Sequence, residues 1–183
     1  LSNLYFSPPQ LLLSERLCTL SGMNSVFFSN SGAEAVEAAL KIARKFGKLN
    51  GAYKRKIIHL SGSFHGRTFG ALAVTSNVHY QAPFLPLVSE TEEIPVNDIT
   101  TLKRVMSDDV CAIILEPIQG ESGVHMVDPA FIAEARALCN QHNSLLIFDE
   151  VQCGIGRTGS LFYFEQLGIK PDVLCLDRKS TRL

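Results

Sequence analysis

The sequence predicts an α/β protein in which a mostly parallel sheet is covered by helices on both faces. Residues 110–115 and 145–148 are uninterrupted apolar runs, which is typical of strands buried on both faces. Segments with helical periodicity lie between the strands, and this alternation favours a parallel sheet. The 183 residues, 46% of them apolar and 19% charged, suffice for one globular domain with a core.

The first half of the chain alternates between helices and short strands. Val36, Leu40 and Ala43 recur at helical spacing and predict the strongest helix, with Gly47 as its stop. Residues 78–95 contain three prolines and predict a loop. The predicted elements are, in order, a helix at 10–20 after two prolines, a short apolar strand at 26–28, the helix at 32–46, a strand at 56–61 and a helix of small apolar residues at 68–74.

The second half has sharper boundaries. Asp128 followed by Pro129 is a typical helix start, and Phe131, Ala135 and Leu138 mark one face of the helix that follows. The predicted elements are, in order, a short helix at 98–106, the strand at 110–115, the helix from 129, the strand at 144–148, a short helix at 162–167 and a strand at 171–176.

Composition narrows the range of functions and partners. The net charge is −1 with scattered basic residues, so no basic footprint for nucleic acid or an anionic membrane is present. No apolar run approaches the ~20 residues of a membrane span. The five cysteines form no C-x-x-C pair, which favours buried thiols in a reducing, cytoplasmic compartment over zinc ligation or disulfides.

Ligands bind parallel sheets at the carboxyl ends of the strands, so the segments that follow predicted strands are the candidate site. After the first strand, Ser31 and Glu34 form a capping box, and Gly32 and Ala33 leave the first helix amides unobstructed. A helix start of this kind suits a phosphate group, although an ordinary capped helix explains the same residues.

The segment after the second strand combines an aromatic ring, an imidazole and a guanidinium. Phe64 can stack on a planar ring, with His65 beside it, and Arg67 can bind a carboxylate through two parallel hydrogen bonds. Taken alone, the pattern favours Phe64 as a core residue and Arg67 as a surface charge.

Acidic residues follow the two most apolar strands. Glu116 and Glu121 follow the strand at 110–115, and a carboxylate directly after a buried strand needs a partner or a site. A glycosidase pair, or a metal site with Asp149 and Glu150, lacks the supporting histidine pattern. We therefore expect no metal site.

Asp149 ends the fourth predicted strand and projects toward the expected ligand crevice. A fixed carboxylate there suits a cationic ring nitrogen such as that of pyridoxal phosphate, and Gln152 can donate to the ring's phenolate oxygen. The alternative is that Asp149 caps the next turn. Residues 154–159 match G-x-G-x-x-G but do not lie directly between a strand and a long helix, which disfavours a dinucleotide loop.

Four segments occur together and in order: FFSNSGAEAVEAALKIAR, GSFHGRTFGALAVT, AIILEPIQGESGV and LLIFDEVQCGIGRTG. Over about residues 23–176 this set closely resembles the class III, or ornithine-type, pyridoxal phosphate-dependent aminotransferases. The resemblance implies the large domain of a fold-type I subunit, with pyridoxal 5′-phosphate as the cofactor. It also implies a homodimer in which a partner residue completes each phosphate site.

The resemblance also implies roles for individual residues. Phosphate binding is implied for Ser31, Gly32 and Ala33, and contact with the pyridine ring for Phe64, His65, Asp149 and Gln152. Arg67 corresponds to the residue that receives a substrate carboxylate in acetylornithine-type members, and Glu121 to a gating glutamate. The implied reaction moves an amino group from an ω-amino donor, N-acetylornithine, to 2-oxoglutarate in arginine biosynthesis. Ornithine, succinylornithine and 4-aminobutyrate enzymes share most of these motifs.

The end of the sequence departs from the family pattern. Arg178 stands where the family has the lysine that binds the cofactor, and Lys179 is one residue away. Arginine stays protonated and cannot serve as that nucleophile. We therefore expect an inactive, truncated chain with an N-terminal segment at 1–22, part of the large domain at 23–176, a non-native tail at 177–183 and no small domain. The alternatives are a lysine-less pyridoxal phosphate-binding protein and a dehydrogenase that binds a nicotinamide cofactor at the Gly154 loop.

Overall fold

The computed structural model describes residues 5–51 and 53–177 and confirms the predicted fold class. Five parallel strands form one sheet in the order β2-β1-β3-β6-β7, and a separate two-stranded antiparallel ribbon pairs β4 with β5. The strands are β1 Lys56–Leu60, β2 Thr91–Ile94, β3 Val110–Leu115, β4 Ile118–Gln119, β5 His125–Met126, β6 Leu145–Asp149 and β7 Val173–Cys175. The helices are α1 Pro8–Ser21, α2 Gly32–Asn50, α3 Phe69–Ala73, α4 Val78–Gln81, α5 Ile99–Val105, α6 Pro129–Gln141 and α7 Phe164–Leu167, and a 3₁₀ turn spans Ala82–Phe84.

Helices cover both faces of the sheet, as predicted. All six residues of β3 are buried, and their side chains divide between two apolar clusters. One cluster joins the sheet to α5 and α6, and the other joins it to α2 and α3. This double burial explains why β3 and β6 have no polar alternation in the sequence.

Two predictions in the first half are wrong. Residues 26–28 form no strand in the described part of the chain, and Phe27 is 74% exposed. Residues 78–95 are not a simple loop, because they contain α4, the 3₁₀ turn and β2. Strand β2 is the polar segment TEEI at the edge of the sheet, where only β1 pairs with it, so it lacks the apolar run that marks a central strand.

Gly47 does not end α2, which continues to Asn50. A Cβ atom on Gly47 would lie 2.1 Å from the Lys54 carbonyl oxygen and 2.7 Å from the Cys111 Cβ. Glycine is therefore required here because the returning backbone and β3 pass against the helix, and not because the helix stops.

Gly47→Ala is expected to destabilise the chain by about 1–3 kcal/mol, the usual cost of overpacking a tight core position. Alanine is intrinsically the better helix former by about 1 kcal/mol, so without the contact the change would stabilise. Urea denaturation followed by circular dichroism measures the effect. Gly51→Ala is the matched control, because its Cβ would meet only the Lys54 Cβ at 3.6 Å and its φ of 169° is extended. A Gly47→Ala midpoint at or above that of the unmodified chain would contradict this account.

Candidate functional site

Strands β1, β3 and β6 are neighbours in the sheet, so the segments that follow them meet at one edge. The start of α2 lies at the same edge. The Ser31 hydroxyl accepts the Glu34 amide at 3.3 Å, and Glu34 Oε2 accepts the Asn30 amide at 2.6 Å. The predicted capping box is therefore present, with Glu34 reaching one residue further back than usual.

The first amide of α2 interacts with an anionic group. The Gly32 N–H donates to Asp177 Oδ2 at 3.2 Å. A Cβ on Gly32 would lie 2.7 Å from Val151 Cγ1, so only glycine allows the segment after β6 to come this close. A carboxylate at this helix start fits the positive end of the helix dipole and indicates a position suited to anions.

Gly66 joins the segment after β1 to the start of α2. Its φ is +126°, which side chains rarely adopt, and a Cβ there would lie 2.8 Å from the Ala33 Cβ. The glycine of the F-H-G-R motif therefore lets Phe64 and His65 lie next to the anion position.

A buried carboxylate–imidazole pair lies at the centre of the site. Asp149 Oδ2 is 2.7 Å from His65 Nδ1, and the two residues are 4% and 3% exposed. Asp149 Oδ1 accepts the Val151 amide at 3.1 Å, so the residue also caps the turn after β6. His65 Nε2 is buried and has no hydrogen-bond partner in the described part of the protein. An orphaned polar atom of this kind indicates a functional site.

Glu116 lies beside this pair. Its Oε1 accepts the Phe64 amide at 2.8 Å, and the residue is 2% exposed. Burial raises the pKa of the Glu116 carboxyl to about 7, while His65 and the Phe64 amide act in the opposite direction. Glu116 therefore links the end of β3 to the segment that carries Phe64 and His65.

Phe64 and Arg67 share a contact with Tyr80, which the sequence did not single out. The Phe64 and Tyr80 rings meet edge to face with centroids 6.4 Å apart. The Arg67 guanidinium lies 4.7 Å above the centre of the Tyr80 ring. Tyr80 lies in α4, inside the segment predicted to be a loop. Its aromatic side chain was the only feature of the sequence that could have suggested a contact with the F-H-G-R motif.

The remaining predicted site residues differ in how closely they join the cluster. Gln152 packs against the E-P-I-Q-G-E loop, since a Cβ on Gly120 would lie 2.4 Å from its Oε1. Arg67 and Glu121 are exposed. The structure brings together the predicted segments of Gly32 and Ala33, of Phe64 and His65, and of Asp149. Gln152 lies against Gly120, Arg67 joins Phe64 through Tyr80, and Glu121 is exposed.

Glu150, the residue after Asp149, has a structural role. It is fully buried, and its two oxygens accept the Tyr163 and Phe164 amides at 2.7 and 2.8 Å. Burial raises the pKa of the Glu150 carboxyl. The glycines behind it form turns that lead to α7, which has only four residues. This geometry does not match a dinucleotide loop, which opens a long helix.

The five cysteines lie in the described part of the chain and are all free thiols. Four are buried, and Cys18 is partly exposed. Within residues 5–51 and 53–177, none of the helices combines the length and apolar content that a membrane crossing requires. The predictions for Arg178 and Lys179 lie outside the described residues.

Comparison with known proteins identifies the family. The class III aminotransferase profile matches residues 1–181. The acetylornithine aminotransferase of Methanocaldococcus jannaschii is 47% identical over 176 residues, which cover 96% of this chain and 44% of that protein. The N-acetylornithine aminotransferase of Stenotrophomonas maltophilia is 40% identical with a TM-score of 0.80, over 96% of this chain and 43% of that one.

A third comparison connects the fold to the cofactor. The ornithine aminotransferase of Toxoplasma gondii, described with partial occupancy of PLP at its active site, is 32% identical with a TM-score of 0.89, over 95% of this chain and 42% of that one. The chain thus spans less than half the length of these relatives, and its sheet is that of the fold-type I enzymes. The chain belongs to the class III aminotransferases, a family whose cofactor is pyridoxal 5′-phosphate.

Proposed function

We propose that this chain carries the cofactor-binding part of an aminotransferase that moves an amino group from N-acetylornithine to 2-oxoglutarate. The observation that carries the proposal is the buried His65–Asp149 pair, which lies beside the start of α2, where the Gly32 amide donates to a carboxylate. The resemblance to acetylornithine enzymes supports the donor. We further propose a cytoplasmic homodimer that acts in arginine biosynthesis on small amino acids and 2-oxo acids.

The residues of the site fit pyridoxal 5′-phosphate. The amides of Gly32 and Ala33, with the Ser31 hydroxyl, are suited to bind the phosphate group, since Gly32 already donates to a carboxylate. Asp149 is suited to hold a proton on the ring nitrogen, with His65 fixing its orientation. When bound, the cofactor supplies an electron sink for the substrate carbon that bears the amino group.

The rest of the site fits the same ligand and a carboxylate substrate. Phe64 offers a ring face to the pyridine, and Gln152 an amide to the ring hydroxyl. Arg67 is exposed and stacked on Tyr80, which leaves its guanidinium able to grip a substrate carboxylate. Glu121 is also exposed and is suited to a gating role at the mouth of the site.

The identity of residue 178 sets the expected behaviour of the chain alone. Arginine occupies the position of the family's lysine, so we expect reversible binding of pyridoxal phosphate without a covalent bond at this position and without turnover. Arg178→Lys is expected to create a site that borohydride traps as a covalent phosphopyridoxyl adduct. Equilibrium dialysis measures the binding, and peptide mass mapping after reduction locates the adduct.

A second substitution tests whether the adduct forms on residue 178 or on the neighbouring Lys179. When Lys179→Ala is added to the Arg178→Lys chain, the adduct is expected to remain on residue 178. Labelling of surface lysines should be equal in all variants. Failure of both chains to bind pyridoxal phosphate would overturn the proposed site. Turnover of N-acetylornithine by the unmodified chain would overturn the inactivity, and binding without trapping in Arg178→Lys would favour a non-catalytic binding protein.

The Asp177 carboxylate accepts a hydrogen bond from the Gly32 amide, which we assign to the phosphate. Because two anions compete for the Gly32 N–H, Asp177→Ala is expected to increase the affinity for pyridoxamine 5′-phosphate about three- to tenfold. Titration of ligand fluorescence measures the change. Asp128→Asn, which removes an acid at the start of α6, is the control and should leave the affinity unchanged. Equal affinities for all three chains would contradict the competition.

A further inference from the structure

We propose that Glu116 is a positioning residue of the cofactor site: its carboxyl group holds the backbone at Phe64 and thereby fixes the direction of the Phe64 ring. The inference rests on the proposed cofactor function. Glu116 follows β3, the strand between β1 and β6, so it lies between the loop of Phe64 and His65 and the loop of Asp149. It touches none of the groups that we assign to the phosphate.

The backbone at Phe64 lies outside regular secondary structure, although the Ser76 amide donates to the neighbouring Ser63 carbonyl at 2.9 Å. Three side-chain hydrogen bonds also tether the segment: the Ser63 hydroxyl donates to the Val74 carbonyl at 2.9 Å, the Phe64 amide to Glu116 at 2.8 Å, and the His65 amide to the Thr75 hydroxyl at 2.9 Å. Val74 and Thr75 directly follow α3 in the chain. Of these three tethers, Glu116 alone reaches the next strand of the sheet.

A buried carboxyl group is retained at considerable cost unless its hydrogen bonds serve the structure or the site. Glu116 lies close enough to the Gly120 amide, His65 and Asp149 for each to affect the pKa of its carboxyl group. Its hydrogen bond links the loop after β3 to the loop of Phe64 and His65. Loss of its acceptor frees the Phe64 amide, and the Phe64 ring then loses its fixed contact with Tyr80.

Charge and hydrogen bonding can be separated by substitution. Glu116→Gln keeps an oxygen acceptor for the Phe64 amide and removes the charge, whereas Glu116→Ala removes both. A positioning role predicts that glutamine rescues the function of the site. A role for the negative charge beside His65 predicts that glutamine behaves like alanine.

The first measurement uses the chain without ligand. Hydrogen exchange of the Phe64 amide, followed by NMR, is expected to accelerate about tenfold in Glu116→Ala and to stay within about threefold in Glu116→Gln. The nuclear Overhauser contact between the Phe64 and Tyr80 rings should weaken in Glu116→Ala alone. Glu150→Gln is the matched control. Glu150 is also a buried acid that follows a strand, but it accepts the Tyr163 and Phe164 amides and not the Phe64 amide.

The second measurement uses pyridoxamine 5′-phosphate, which binds without a lysine. Its dissociation constant is expected to rise about tenfold in Glu116→Ala, with loss of the induced circular dichroism of the ligand ring, and to change less than about threefold in Glu116→Gln. In a Phe64→Ala background, Glu116→Ala should change the constant less than about twofold, because the group through which it acts is already gone.

The outcomes separate this inference from the proposed function. Failure of the unmodified chain to bind the ligand would overturn the cofactor function. The hydrogen-exchange measurement would still show whether Glu116 holds the Phe64 amide. Unchanged exchange in Glu116→Ala, additive effects with Phe64→Ala, or a tenfold loss of affinity in Glu116→Gln would each overturn the positioning role. Should Glu116→Ala not fold, Glu116→Met has a similar volume without an acceptor and serves the same comparison.

Discussion

Replacing Asp149 with alanine is expected to lower the free energy of unfolding by about 1–3 kcal/mol, the usual cost of leaving a buried polar group without its hydrogen-bond partner. Asp149 Oδ2 lies 2.7 Å from His65 Nδ1, and both side chains are almost completely buried. His65 Nε2 already has no partner among the described residues, so the variant leaves both ring nitrogens without one. Urea denaturation at neutral pH, followed by circular dichroism, measures the loss.

The chain contains an exposed counterpart that serves as the control. His142 Nδ1 lies 2.8 Å from Asp108 Oδ1, but the Asp108 side chain is 95% exposed. Asp108→Ala removes the same chemical contact and is expected to cost less than about 1 kcal/mol. Asp149→Asn keeps an acceptor for His65 and should lie between the two. Similar losses for Asp149→Ala and Asp108→Ala would show that burial does not govern the pair.

The central strands could be predicted from the sequence because burial on both faces leaves a continuous apolar run. Strands β3 and β6 have this property, and their predicted limits differ from the structure by a single residue at most. The edge strand β2 could not be predicted in this way, since three of its four residues are polar and are not buried. The two-residue strands β4 and β5 are too short for any periodicity.

Gly47 shows why residue type alone misleads. A glycine near the end of a helical pattern predicts a stop, yet α2 continues because the glycine allows the backbone at Lys54 to approach. That contact joins parts of the chain whose distance depends on the whole sheet. Periodicity, which is local, contains no information about it.

The site could be predicted in its residues but not in its contacts. The rule that ligands bind at strand carboxyl ends selected Phe64, His65 and Asp149, and the structure brings their segments together. Ser31 was selected through the strand predicted at 26–28, which the described part of the chain does not contain, although Ser31 does begin α2 at the same edge. The pairing of His65 with Asp149 and the interaction of Asp177 with Gly32 join residues that are 84 and 145 positions apart. Such contacts depend on side-chain direction and on loop paths, which strand order alone does not determine.

Two buried groups, Glu116 and His59, are expected to make opposite contributions to the pH dependence of stability between about 4.5 and 6.5. Burial raises the pKa of the Glu116 carboxyl from 4.5 to about 7. In that window the folded state keeps a proton that the unfolded state loses. Stability therefore falls as the pH rises, by about 1.4 kcal/mol per pH unit.

His59 has the opposite effect. Burial, reinforced by His65, lowers the pKa of its imidazole from 6.5 to about 4. Between these values the unfolded state binds a proton that the folded state lacks, so stability rises with pH by a similar amount. The two contributions overlap between 4.5 and 6.5 and largely cancel.

Removing either group is expected to expose the effect of the other on the pH dependence of stability. The unfolding free energy of Glu116→Gln minus that of the unmodified chain should increase by about 3 kcal/mol from pH 4.5 to 7. The same difference for His59→Leu should decrease by about 3 kcal/mol from pH 4 to 6.5. Glu150, whose pKa burial also raises, is present in every chain and cancels from the differences.

Urea denaturation across this pH range measures both differences, and the double variant is the internal control. Because each variant removes one of two opposing slopes, combining them should restore the pH dependence of the unmodified chain. A flat difference for Glu116→Gln would mean that the folded and unfolded states ionise this carboxyl alike, which is incompatible with a buried acid held by the Phe64 amide. A flat difference for His59→Leu alone would place that imidazole in contact with water, because a solvated ring titrates alike in both states.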